Sequence, residues 1–181
     1  MFDYVIIHGS YGSPFENWFP WLYEELTKQG KNVLVPQFPC GAGIQNYENW
    51  RKVMDAYKHL IGENTTLIGH SLSPAFIVDY LINNNLKVKS VVFAAPFYGI
   101  INIPEFDEVN VPFFTKTDLS RMKYLSSKRI CFISNNDPYV PRELSVEFAK
   151  QIDGEMIFVD GAGHFNASAG YKTFERLLEK L

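Results

Sequence analysis

Six short runs of β-branched and apolar residues, separated by stretches whose apolar residues recur at helical spacing, restrict what this chain can fold into more than any other feature. The runs are Tyr4 to Ile7, Asn32 to Val35, Thr66 to Ile68, Ser90 to Ala94, Ile130 to Ser134 and Met156 to Val159. Each has the length and composition of a buried strand. Between them, Trp18, Trp21, Leu22 and Leu26 predict a helix ending at Gly30. Tyr47, Trp50, Val53, Met54, Tyr57, Leu60 and Ile61 predict a second ending at Gly62. Leu144, Phe148 and Ile152 predict another, with Pro141 at its first helical position, and Tyr171, Phe174, Leu177, Leu178 and Leu181 predict a helix at the C-terminus.

Strict alternation of strand and helix demands a parallel sheet, because each parallel connection must cross a face of the sheet, and it does so right-handedly. The fold class is therefore α/β: about six mostly parallel strands with helices on both faces. At 181 residues, 46% of them apolar, the chain can bury one sizeable core, which predicts a single domain over residues 1–181. One segment resists the pattern. Phe97 to Ser127 contains Pro104, Pro112 and several acidic residues, with one short helix from about Asp118 to Leu125, and it reads as a small lid or a pocket wall.

Charge excludes some functions. The formal net charge is −3 and the 17 Lys and Arg are scattered, so no footprint for nucleic acid or an anionic membrane is present. Cys40 and Cys131 lack metal-ligand spacing and are expected as free thiols. Met1-Phe2-Asp3 passes directly into a strand without the basic and long apolar segments of a secretion signal. A cytoplasmic location is the expectation.

In open α/β sheets ligands bind beyond the carboxyl ends of the strands. After the third run comes Gly69-His70-Ser71-Leu72-Ser73-Pro74, and then the apolar stretch Ala75 to Leu81. This is the pattern of a nucleophile elbow with its last Gly replaced by Ser. Small residues two positions either side of the serine let the backbone reverse without collision, and Pro74 falls where a helix needs no N–H. The competing reading is a strand-to-helix turn in which Ser71 is only a cap.

After the fifth run comes Asn135-Asn136-Asp137-Pro138, and after the sixth Gly163-His164-Phe165. The order Ser, Asp, His, with each member just beyond a strand, is that of a catalytic triad on the α/β-hydrolase fold. His164 would take the proton of Ser71, and Asp137 would hold the imidazole tautomer. Asp137 has a rival reading as a turn residue before Pro138, and Asp160, four residues before His164, is the substitute acid. Backbone N–H groups of Leu72 and of Ser10, in His8-Gly9-Ser10, are the expected oxyanion donors.

Of the other histidines, His8 is expected to support the oxyanion loop, His70 to pack beneath the elbow and His59 to lie on the polar side of its helix; no metal set emerges. Trp18, Trp21, Trp50 and Tyr57 read as core. Tyr11, Phe97, Tyr98 and Phe165, next to strand ends, are the candidate pocket lining.

His8-Gly9-Ser10, Asn17-Trp18-Phe19-Pro20-Trp21, Asn49-Trp50, Gly69-His70-Ser71-Leu72, Asp137-Pro138-Tyr139-Val140-Pro141 and Gly163-His164-Phe165 together resemble the small serine hydrolases grouped with retinoblastoma-binding protein 9. The resemblance spans nearly the whole chain. It implies a compact α/β-hydrolase fold without a large cap domain, a triad of Ser71, Asp137 and His164, hydrolysis of small esters or amides, and no cofactor. Ser73 stands where that family has Gly. No Leu-x-Cys-x-Glu segment is present, so a retinoblastoma-type partner is not carried over. The leading expectation is an esterase acting on a small-molecule substrate. Amide cleavage or acyl transfer uses the same residues, and a binding protein that keeps the scaffold without turnover is the alternative from another class.

Overall fold

The computed structural model describes residues 1–181. Six strands form one sheet: β1 (Tyr4–Ile7), β2 (Val33–Leu34), β3 (Thr66–His70), β4 (Val88–Ala94), β5 (Ser126–Ser134) and β6 (Glu155–Val159). Their spatial order is β2-β1-β3-β4-β5-β6, and every pairing is parallel. The chain moves outward from β1 to β2 and then returns to the other side of β1 with β3. The switch point lies between the ends of β1 and β3, where Gly9-Ser10 and Ser71 emerge.

Successive side chains of a strand point to opposite faces, and two cores result. Val5, Ile7, Val91, Phe93, Cys131 and Ile133 pack with Trp50 and Met54 of α2 (Tyr47–Tyr57), Phe76 of α3 (Ser73–Asn83) and Phe148 of α5 (Arg142–Gln151). Tyr4, Ile6, Val92, Ala94, Ile130 and Phe132 pack against Phe19, Leu22 and Leu26 of α1 (Phe19–Lys28) and Leu177 of α6 (Glu175–Leu178). No helix is long and apolar enough to cross a membrane.

Where the structure departs from expectation, the reason is packing. Pro141 is the N-cap of α5 rather than its first helical residue; its extended backbone, φ −53° and ψ 133°, lies outside the helix. The C-terminal helix is a single turn, because Tyr171 and Phe174 are drawn onto Phe165 before it starts. The turn expected at Asp118 to Leu125 is a 3₁₀ helix, Leu119–Tyr124, and a helix not foreseen, α4 (Pro104–Asn110), precedes it.

The Phe97 to Ser127 segment lies over α3. That helix is buried from Ser73 through Ile82, so it needs cover on the side away from the sheet, and Leu119, Met122 and Leu125 join its core. Asp79, fully buried on α3, ties the segment down by accepting hydrogen bonds from Tyr98 Oη (3.0 Å) and Thr115 Oγ1 (2.6 Å). Burial raises its carboxyl pKa.

Candidate active site

The elbow after β3 is strained at one residue. Ser71 has φ +61°, in the left-handed region, and its N–H donates to the Ala94 carbonyl at 2.9 Å. Close approach requires glycine at position 9 and would crowd a side chain at 69. A Cβ on Gly9 would lie 2.8 Å from the Ser71 Cβ, and one on Gly69 would lie 2.9 Å from Ile77 Cδ1.

Ser73 has a structural role of its own. Its hydroxyl accepts from the His70 N–H (2.8 Å) and donates to the Ile7 carbonyl (2.8 Å), so it laces the elbow to the end of β1, the strand that leads into Gly9-Ser10. A glycine there would leave those buried groups without this partner. Ser73→Ala is expected to lower stability by about 1–3 kcal/mol, read as a shift of the urea midpoint at unchanged slope. A neutral result would mean that water or backbone movement replaces the hydroxyl.

Two stitched loops bring Asp137 to His164. Asn136 Oδ1 accepts from the Gly163 N–H (2.9 Å), and Asn135 Oδ1 from the Gly161 N–H (2.9 Å), clamping the loop after β5 to the loop after β6. Asp137 Oδ1 accepts from the N–H groups of Tyr139 (2.9 Å) and Val140 (3.0 Å), while its Oδ2 accepts from His164 Nδ1–H at 2.7 Å. The turn contacts of Asp137 and its contact with His164 therefore use different oxygens of one carboxylate. The Ser71 hydroxyl donates to His164 Nε2 at 3.0 Å. Asp160 Oδ1 instead accepts from Asn135 Nδ2.

Buried, neutral imidazoles frame this line. His70 Nε2–H donates to the His164 carbonyl at 2.7 Å, and burial, reinforced by the neighbouring His164, pushes its pKa down to about 3. His8 Nδ1–H donates to the Gly9 carbonyl (2.8 Å), and its Nε2 accepts from the Phe38 N–H (3.0 Å). Burial lowers its pKa as well. The unfolded chain binds more protons than the folded one below about pH 6.5, the ordinary histidine value, so this contribution to stability is present above that pH and is lost as pH falls through the window. Stability is expected to drop by on the order of 1 kcal/mol per pH unit below about pH 6. Urea titrations at pH 7.5 and 5.0 check this, and His70→Asn should flatten the slope; an equally steep variant would acquit His70.

The backbone N–H groups of Ser10 and Leu72, the residues next to Gly9 and Ser71, donate to no acceptor within the chain. Ser10 lines a cavity of about 190 Å³ together with Gly9, Ser71, Phe97, Ile101, Phe106, Asn110, Tyr139, Val140 and His164, and with the polar residues Glu16, Asn17 and Asn166; Leu72 is buried behind Ser71.

Among the expected lining residues, Phe97 reaches this cavity. The others are corrected. Phe165 is buried and stacked on Phe174, 5.3 Å between centroids, because left-handed backbone at Gly163 and Phe165 turns it away from His164. Tyr98 packs on Phe114 and points its hydroxyl at Asp79. Tyr11 is half-exposed, donating to the Glu105 carbonyl and bracing α4 from outside. Ile101, Phe106 and Asn110 were missed because they come from the segment without periodicity. The adjacent motif Asp137-Pro138-Tyr139-Val140 was the only signal for Tyr139 and Val140.

Comparison with known proteins gives the same architecture. YdeN of Bacillus subtilis (strain 168) is 29% identical over 171 residues, 92% of this chain and 87% of that protein. The crystal structure of the ydeN gene product superposes with a TM-score of 0.86 at 26% identity, covering 98% of this chain and 95% of that one. A YdeN-like hydrolase from Pectobacterium atrosepticum gives 0.72 at 22% identity, covering 98% and 87%. An extracellular α/β-hydrolase from a Paenibacillus species gives 0.68 at 17%, covering 98% and 97%. The fold is the α/β-hydrolase fold. The sequence model described as "Serine hydrolase" matches residues 4–181, so nearly the whole chain, including the elbow and both loops that meet it, belongs to the serine hydrolase family.

Proposed function

We propose that this chain hydrolyses small carboxylic esters through an acyl intermediate on Ser71. One observation carries the reading: the continuous line from Asp137 Oδ2 to His164 Nδ1 (2.7 Å) and from His164 Nε2 to Ser71 Oγ (3.0 Å). His164 Nε2 takes the hydroxyl proton as Oγ bonds to the ester carbonyl carbon. The oxyanion so formed accepts from the Ser10 and Leu72 N–H groups. Collapse of the tetrahedral species breaks the bond to the alcohol, which leaves with the proton from His164. Water then repeats the sequence on the acyl-enzyme, releasing the acid and restoring Ser71. Asp137 keeps the Nδ1–H tautomer in place and stabilises the imidazolium at each transfer.

The cavity's size argues for small substrates, since about 190 Å³ is below the range of drug-sized sites. Within the family we place the chain with the small single-domain hydrolases grouped with retinoblastoma-binding protein 9, on the motifs quoted above. A fluorophosphonate probe should label the protein at Ser71, and a series of p-nitrophenyl esters should be cleaved fastest at short acyl length. Labelling without ester turnover would move the reading toward amides or acyl transfer. Failure of both would leave a binding protein on a hydrolase scaffold.

A further inference from the structure

One group in the cavity is not used by the mechanism above. Asn110, the last residue of α4, is 1% exposed and lines the cavity. Its Oδ1 is occupied, accepting the hydroxyl of Ser10 at 2.5 Å across one hundred residues of chain. Its Nδ2 donates to nothing in the protein, yet it is not among the fully enclosed side-chain atoms lacking a partner, which are Gln45 Nε2 and Asp79 Oδ1. The small exposed area of a residue otherwise sealed in protein therefore includes this amide, and the surface it meets is the cavity.

A buried amide donor without a partner is costly to keep, and a ligand acceptor removes the cost. Position narrows what that acceptor is. Asn110 is held by the side chain of Ser10, whose backbone N–H is an oxyanion donor, and it shares its wall with Ile101 and Phe106. His164, which serves the leaving group, has Asn166 two residues on, at the polar side with Asn17. Asn110 thus lines the same cavity as Ser71 and is tied to Ser10, which on the mechanism above puts it nearer the acyl group than the leaving group.

We propose that Asn110 is a specificity residue whose Nδ2–H donates to an oxygen on the acyl chain, so that the preferred substrates are short acyl esters bearing an ether, hydroxyl or carbonyl oxygen near the scissile carbonyl. This rests on Ser71 acylation as described above. An apolar wall fits the carbon skeleton, and a single donor set in it rejects an all-hydrocarbon chain by leaving the amide unpaired.

Methoxyacetate and butyrate p-nitrophenyl esters have acyl chains of equal length that differ by one oxygen for one methylene. The ratio of their kcat/KM values, measured in wild type and variant, cancels the intrinsic reactivity difference. Asn110→Asp keeps the acceptor for Ser10 and replaces the donor, and Asn110→Ala removes both. Each should lower the methoxyacetate-to-butyrate ratio by about tenfold. An unchanged ratio overturns the proposal, and so does a parallel loss on both esters, which would mark Asn110 as a third oxyanion donor or a structural support for Ser10. Ligand-observed NMR with methoxyacetamide and butyramide needs no turnover. Wild type should favour methoxyacetamide and Asn110→Asp should lose that preference, while equal binding of both amides by wild type overturns the proposal. Absent labelling of Ser71 with the amide preference intact would instead count against the hydrolase reading alone.

Discussion

Ser71→Ala is expected to lower kcat for a short p-nitrophenyl ester by roughly 10⁵- to 10⁶-fold and to abolish fluorophosphonate labelling, while the protein stays folded. The loss is large because the hydroxyl is the only group positioned to form the covalent bond. Without it, His164 can at best activate water from a place not shaped for it. What survives is the stabilisation offered by the free N–H groups of Ser10 and Leu72. Stability should change little, since the Ser71 side chain contributes one hydrogen bond, to His164, and its half-buried position at a φ of +61° makes alanine no worse than serine. Persistent labelling in the variant would place the nucleophile elsewhere.

Asp137→Asn is expected to lower kcat by roughly 10⁴-fold, and Asp160→Asn by less than about threefold. An asparagine at 137 can still accept from the Tyr139 and Val140 N–H groups, so the loop persists. Toward His164, however, it presents an amide that favours the wrong tautomer, leaving the Nε2 that faces Ser71 protonated and unable to take the hydroxyl proton. Asp160 bonds Asn135, part of the stitching between the two loops, and an asparagine there retains an oxygen for the same donor. Steady-state kinetics on both variants separates the roles. Equal losses would mean that Asp160 positions the His164 loop as critically as Asp137 orients its ring.

Much of this was written in local pattern. Runs such as Val5 to Ile7 and Ser90 to Ala94 are apolar on both faces, as strands covered by helices must be, and their alternation with amphipathic helices leaves few arrangements other than a parallel sheet. Backbone sterics made the elbow legible too, because Gly69 and the small Ser73 flank a residue that must adopt positive φ. The meaning of Ser73 was not legible. Its hydroxyl acts on Ile7, 66 residues earlier, a partner no local spacing announces. Aromatic residues misled for a related reason: adjacency to a strand end says where a Cα lies, whereas left-handed backbone at Gly163 and Phe165 sends the Phe165 ring into the core beside Phe174.

By itself, then, the sequence determined the α/β class, the chain order Ser71, Asp137, His164 and the candidate oxyanion loop, because strand and helix periodicity, turn sterics and order at strand ends are local properties of a chain. Tertiary structure alone decided the spacing of those three groups, the two uses of the Asp137 oxygens and the identity of the cavity wall. Those depend on which way each side chain turns and on contacts such as that of Ser10 with Asn110, which exist only once distant segments have packed.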